Sequence, residues 1–208
     1  MSPHFFCQLS LPGPPGRWTT LGLTAALLTT LNACGSGNGG YFPVGSLWPN
    51  TPENDSHFRR ALSLDLEAMG KPVLWSRRSG ESIRLLQTIG RTVRVVRLEG
   101  PPAQPTIRAV EYERGEPGRI VKHRKRSISA KDWLDAVAWL DGIAFWSLAA
   151  EIGDVALDAS PLTLEHLSAG RFHVVLRYSN EDGVEDVERR LLSLAGLWCL
   201  PPEVQCHP

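Results

Sequence analysis

No apolar run in this chain is long enough to cross a bilayer. The apolar core of the N-terminal segment, residues 18–31, falls short of the roughly 20 residues that a spanning helix needs. Motifs of catalysis are missing as well: there is no nucleophile elbow, zinc-protease helix, P-loop or paired metal-ligand spacing. A GxGxxG pattern does occur at Gly35, Gly37 and Gly40. It lacks the preceding strand and following helix of a dinucleotide site, so it is a chance match. The sequence therefore points to no cofactor and no metal. Net charge is absent too, because 22 Lys and Arg balance 22 Asp and Glu.

A short apolar segment that ends in small residues reads as a signal peptide rather than a membrane anchor. Arg17 supplies its positive charge, and Pro12, Pro14 and Pro15 lengthen the region before it. The segment ends in Leu31-Asn32-Ala33-Cys34. These four residues resemble the lipobox of bacterial lipoproteins, in which a peptidase cuts before a cysteine that carries the lipid. The resemblance implies a signal peptide over residues 1–33 and lipidation of Cys34. Diacylglyceryl and amide-linked acyl chains together exceed the two signals that stable anchoring requires. In such lipoproteins an Asp after the cysteine favours the inner membrane, so Gly35 implies the outer membrane, on its periplasmic side. Expected partners are the membrane itself and an anionic lipid or an envelope protein. Nucleic acid is not expected for an exported lipoprotein. Residues 34–51 are rich in Gly and poor in apolar side chains, which predicts a flexible tether.

Residues 52–208 remain for one globular domain, enough for a core of ordinary size. Cys7 lies in the leader and Cys34 carries the lipid, which leaves Cys199 and Cys206. An exported compartment permits a Cys199–Cys206 disulfide closing a short loop. A metal site from Cys199, Cys206 and His207 lacks the usual zinc spacing.

Helical spacing of Phe58, Leu62, Leu66 and Met69 predicts a helix over residues 55–69, stopped by Gly70 and Pro72. Strands are predicted at 73–75, 82–88, 92–99, 106–112 and 119–127, with a bulge where Val95 and Val96 interrupt the alternation. A second helix starts at Ser129 with Asp132 as a capping-box partner and ends at Gly142. Its predicted buried stripe is Trp133, Leu134, Val137 and Leu140. A hairpin and a last helix over 183–195 follow. The order predicts an α+β fold, an antiparallel sheet with about three helices packed on one face.

The hairpin register follows if one face is buried. A three-residue loop, Ser168-Ala169-Gly170, sets Leu164 opposite Val174 and Leu162 opposite Leu176. Glu165 then faces His173 across the strands, with Arg177 on the same face and Asp158 nearby in sequence. A carboxylate opposite a histidine can orient it as a general base. The simpler reading of the same residues is a cross-strand ion pair on a partly exposed face.

Charge is segregated although it sums to zero. Residues 71–131 hold 15 Lys or Arg against 5 Asp or Glu, and residues 132–208 hold 4 against 13. Lys122, Arg124, Lys125 and Arg126 form the densest basic run, a candidate contact for an anionic surface. Alternatively, the basic strands and acidic helices balance one another within the fold.

Several segments resemble a group of uncharacterised bacterial proteins, many of them lipoproteins. The likeness spans residues 62–197. It rests on Lys71-Pro72-Val73-Leu74-Trp75, Ile83-Arg84-Leu85-Leu86, Phe145-Trp146-Ser147-Leu148 and the hairpin residues Asp158, Leu164-Glu165, Gly170-Arg171, His173-Val174-Val175, Arg177 and Ser179. The chain departs from the group's pattern at Ala159, Leu162, Phe172 and Tyr178. The resemblance implies a shared fold and no particular activity. Two functions fit: an envelope lipoprotein that binds or scaffolds without catalysis, or a hydrolase of an envelope substrate using Glu165 and His173.

Overall fold

The central strands carry apolar residues at successive positions rather than alternate ones because both faces of their sheet are covered. The computed structural model describes residues 40–77, 80–115, 118–152, 160–178 and 182–197. Their elements run α1 (Pro52–Ala68), β1 (Ser82–Ile89), β2 (Thr92–Glu99), β3 (Thr106–Glu113), β4 (Arg119–Ser127), α2 (Ala130–Gly142), a 3₁₀ turn (Phe145–Ser147), β5 (Glu151–Ile152), β6 (Leu162–Ser168), β7 (Arg171–Arg177) and α3 (Val184–Leu194). The sheet order is β4-β3-β2-β1-β6-β7-β5, antiparallel throughout except where short β5 joins β7 in parallel. The described residues are a single α+β domain.

The helices do not share one face. Ile83, Leu85, Val96, Leu98, Leu164 and Val175 point to a core closed by Trp133, Ala136 and Leu140 of α2 and by Val187, Leu191 and Leu192 of α3. Leu86, Val93, Val95, Val110, Val174 and Leu176 point the other way, onto Leu62 and Leu66 of α1. Apolar helix stripes demand burial, but either sheet face can supply it. Two-sided cover also removes the reason to expect a bulge at Val95-Val96, which pair regularly with β1 and β3. The bulge falls instead between β3 and β4, where Glu111 and Tyr112 oppose Lys122 and Ile120 and Val121 is the extra residue.

The segment expected to be a flexible tether is part of the domain from Gly40 onward. Phe42 and Leu47 are fully buried beside α1, and Trp48 stacks on Phe58 with ring centroids 5.1 Å apart. Its backbone is tied down by Asp55, whose carboxylate accepts N–H bonds from Gly45 (2.9 Å), Leu47 (3.1 Å) and Trp48 (3.2 Å) and pairs with Arg59 at 2.6 Å. Aromatic side chains carry enough buried area to order a Gly-rich stretch whose average composition is polar.

Local signals were informative at the helix ends. Ser129 and Asp132 form the reciprocal capping box, and α2 stops at Gly142. Its buried stripe is Trp133, Ala136 and Leu140, whereas Leu134 lies off that stripe and is exposed. Residues 73–75 form no strand but belong to the connection from α1 to β1, in which Leu74 is buried.

The β6–β7 hairpin takes a two-residue loop. Ala169 and Gly170 both have positive φ (48° and 77°), as a type I′ turn requires, and Ser168 pairs with Arg171. Leu164 therefore opposes Val175, Leu162 opposes Arg177, and His166 opposes His173. The expected three-residue register rested on one buried face. Residues 162–167 are buried on both sides, so separating polar from apolar faces sets no constraint here.

Candidate functional site

The one-residue change of register takes the predicted polar site apart, because Glu165 and His173 now project from opposite sheet faces. Glu165 lies on the α1 face and is fully buried, with both carboxylate oxygens on Arg84 at 2.6 Å. Burial pushes its carboxyl up, and the Arg84 guanidinium pulls it back down. Arg84 spends its remaining nitrogen on the Pro72 carbonyl at 2.7 Å. His173 lies on the other face, its Nε2 3.1 Å from the Leu148 carbonyl and its ring against Phe145. Burial lowers its pKa. Arg177 shares that face and is 1 % exposed. It pairs with Asp182 at 2.6 Å and donates to the carbonyls of Ala149, Ala150 and Leu176. These two arginines are structural clamps: Arg84 joins β1 to β6 and the Pro72 connection, and Arg177 joins β7 to Asp182 and the Ala149-Ala150 carbonyls. Asp158 lies outside the described residues, as do Cys34, Cys199 and Cys206.

The basic run of β4 is likewise divided by strand alternation. Arg124 and Arg126 extend over the α2/α3 face, where they donate to the Gly196 and Leu194 carbonyls at the end of α3. Cations there satisfy the open carbonyls and the negative end of the helix dipole. Lys122 is 3.9 Å from Glu111, and Lys125 projects from the opposite face. Arg124, Lys125 and Arg126 line one cavity of about 610 Å³ beside the end of α3, and Lys122 is not among its lining residues.

Two unpredicted groupings take their place. The first is a cleft of about 230 Å³ lined by Gln87, Ser160, Leu162, Arg177, Tyr178, Glu185 and Glu188. Burial and neighbouring Glu185 push Glu188 up to about 7, against Arg94 and Arg189, and Gln87 donates to its carboxylate. Ser160 is the one serine among the cleft's lining residues, which include no histidine, lysine or cysteine. The second is a row of cations across the α1 face. Arg84 opposes Arg97, Arg97 opposes Arg108, and Arg108 opposes Lys125.

Among the described residues, two carboxylates pair with that row. Glu165 is consumed by Arg84, and Glu99 is shared by Arg97 and Arg108 at 2.6 Å each. The row follows from the antiparallel registers of β1 to β4, which set Arg84, Arg97, Arg108 and Lys125 side by side. What the sequence hid was that the face is covered, and that Lys71 comes to lie beside it. Among the described residues no three His, Cys, Asp or Glu side chains converge to hold a metal, and no helix is long and apolar enough to cross a membrane. The chain matches no protein-family model and no curated protein.

Proposed function

We propose that this chain is a bacterial envelope lipoprotein, held by lipid on Cys34 at the periplasmic side of the outer membrane, with a domain that binds or scaffolds without catalysis. Anchoring is supported by Leu31-Asn32-Ala33-Cys34 after the short apolar segment. Binding rather than hydrolysis is supported by one observation: the candidate base and its carboxylate stand on opposite sheet faces, each held by a structural partner. Residues 35–39 alone separate Cys34 from the first described residue. Fully extended, the six steps from Cys34 to Gly40 span at most about 22 Å, so a lipid on Cys34 would keep the Gly40 end of the domain close to the membrane surface.

Metabolic labelling with a palmitate analogue tests the anchor in a bacterial host expressing the full chain. Label should enter the wild type and be lost in Cys34→Ala, with the variant leaving the membrane fraction. Equal labelling of the two proteins would overturn the reading.

A further inference from the structure

We propose that the α1 face carries an oxyanion-binding site, built by Lys71, Arg97 and Arg108 and suited to a phosphate group. It gives the binding-domain reading a ligand class and rests on that reading only for the setting in which the ligand is met.

Like charges directly opposite on neighbouring strands repel, with Cβ atoms about 5 Å apart. Arg84, Arg97, Arg108 and Lys125 occupy four such successive positions. Glu165 neutralises Arg84 completely. Glu99 then serves both Arg97 and Arg108, which leaves one positive charge uncompensated. Lys71, half-buried on the connection that follows α1, adds another: Arg97, Arg108 and Arg84 act on its charge against Glu99 alone, and no acidic side chain bonds it among the described residues.

Arg97 points to a missing acceptor. It is 7 % exposed, and only its Nη2 meets Glu99, while Nε and Nη1 are buried without a hydrogen-bond partner among the described residues. Buried guanidinium N–H groups left unmade are costly. Burial and the three arginines also depress Lys71 to about 8, as expected for a cation crowded by cations. An anion with several acceptor oxygens, such as a phosphate group, relieves all of these at once. The Arg108 side chain is 40 % exposed, and Arg77, whose charge acts on Arg97, is exposed, so the row is reached from solvent at Arg108. A phosphate on a lipid headgroup and a free phosphate share this chemistry.

Calorimetric titration of the full chain in neutral detergent with inorganic phosphate tests the site. Wild type should bind, and Lys71→Met and Arg108→Gln should each weaken binding by about tenfold, the usual loss for one charge-assisted bond. Lys131→Gln removes equal charge from α2 and should bind as wild type does. Lys71→Met relieves repulsion, so it should fold with unchanged or higher melting temperature. Vesicles of phosphatidylcholine with phosphatidic acid identify the source. Competition with phosphate that depends on Lys71 means a lipid phosphate, and the absence of competition means a soluble one. No phosphate binding by wild type, or equal weakening in Lys131→Gln, would overturn the site. Loss of Cys34 labelling leaves this result unaffected, so the anchor and the site fail separately.

Discussion

The two faces of the sheet are buried by different means. The α2/α3 face is closed mainly by aliphatic and aromatic contact, with Leu85, Leu98, Leu140, Phe145 and Leu192 fully buried in one cluster. Its polar members sit towards the ends of the strands. His166 is pushed down to about 4 by burial and stays neutral near pH 7, Glu188 of α3 lines the cleft, and Arg177 pairs with Asp182 at the end of β7. The α1 face has an ionic row through its interior, and its cover is tied down by carboxylates: Asp55 on the residue 45–48 backbone, Asp65 on Arg114, and Glu165 on Arg84. Apolar cover tolerates change in small increments. Ionic cover fails abruptly, because removing one partner strands a buried charge.

That contrast breaks most visibly at Glu165. Replacing it with Leu should cost about 3–5 kcal/mol by isolating Arg84, read as a fall in the urea midpoint at unchanged slope. The double variant Arg84→Met/Glu165→Leu should recover most of the loss. A cost below about 1 kcal/mol for the single variant would show that the α1 face is no more ionic in effect than its opposite.

On the other face, Glu188 gives a pH-dependent case. Its folded pKa, about 7, exceeds the ordinary carboxylate value. The stabilisation belongs to the protonated form, so it is complete below about pH 4.5 and lost as pH rises through 7. Glu188→Gln should therefore equal wild type near pH 4.5 and exceed it by up to about 3 kcal/mol at pH 8. Urea titrations at the two pH values decide it, and a gain that does not change with pH would refute the assignment.

Asp55 sharpens the comparison on the α1 side. Burial pushes its carboxyl up, but the N–H bonds of Gly45, Leu47 and Trp48 and the Arg59 contact outweigh that and hold it low. Asp55→Ala should cost about 2 kcal/mol and raise hydrogen exchange over residues 41–48 before the sheet. Uniform acceleration across the domain would mean that this segment is not a separable cover. The smallest effect is expected at the α2 cap, where Ser129→Ala should lower stability by about 1 kcal/mol without altering exchange on the α1 face.

Elements with a local cause could be read directly. The Ser129–Asp132 box and the stop at Gly142 follow from capping and a helix breaker, and the limits of β2 from its Val-rich run bounded by Gly90 and Gly100, all of which act within a few residues. The hairpin register could not. Ala169-Gly170 accepts a type I′ turn, but choosing it over a longer loop depends on whether the far face is solvent or protein. Residues 41–48 had the same ambiguity: Phe42, Leu47 and Trp48 are core residues only because Asp55 gathers the backbone between them.

By itself, then, the sequence determined an α+β domain, the cap of α2 and most of the strands, since each arises from short-range steric, hydrogen-bonding or hydrophobic preference. Tertiary structure alone decided that α1 and the α2/α3 pair lie on opposite faces, that Glu165 belongs to Arg84 rather than His173, and that Lys71 joins Arg97 and Arg108. Those pairings join residues far apart in the chain, and only burial on both sides makes their charges felt.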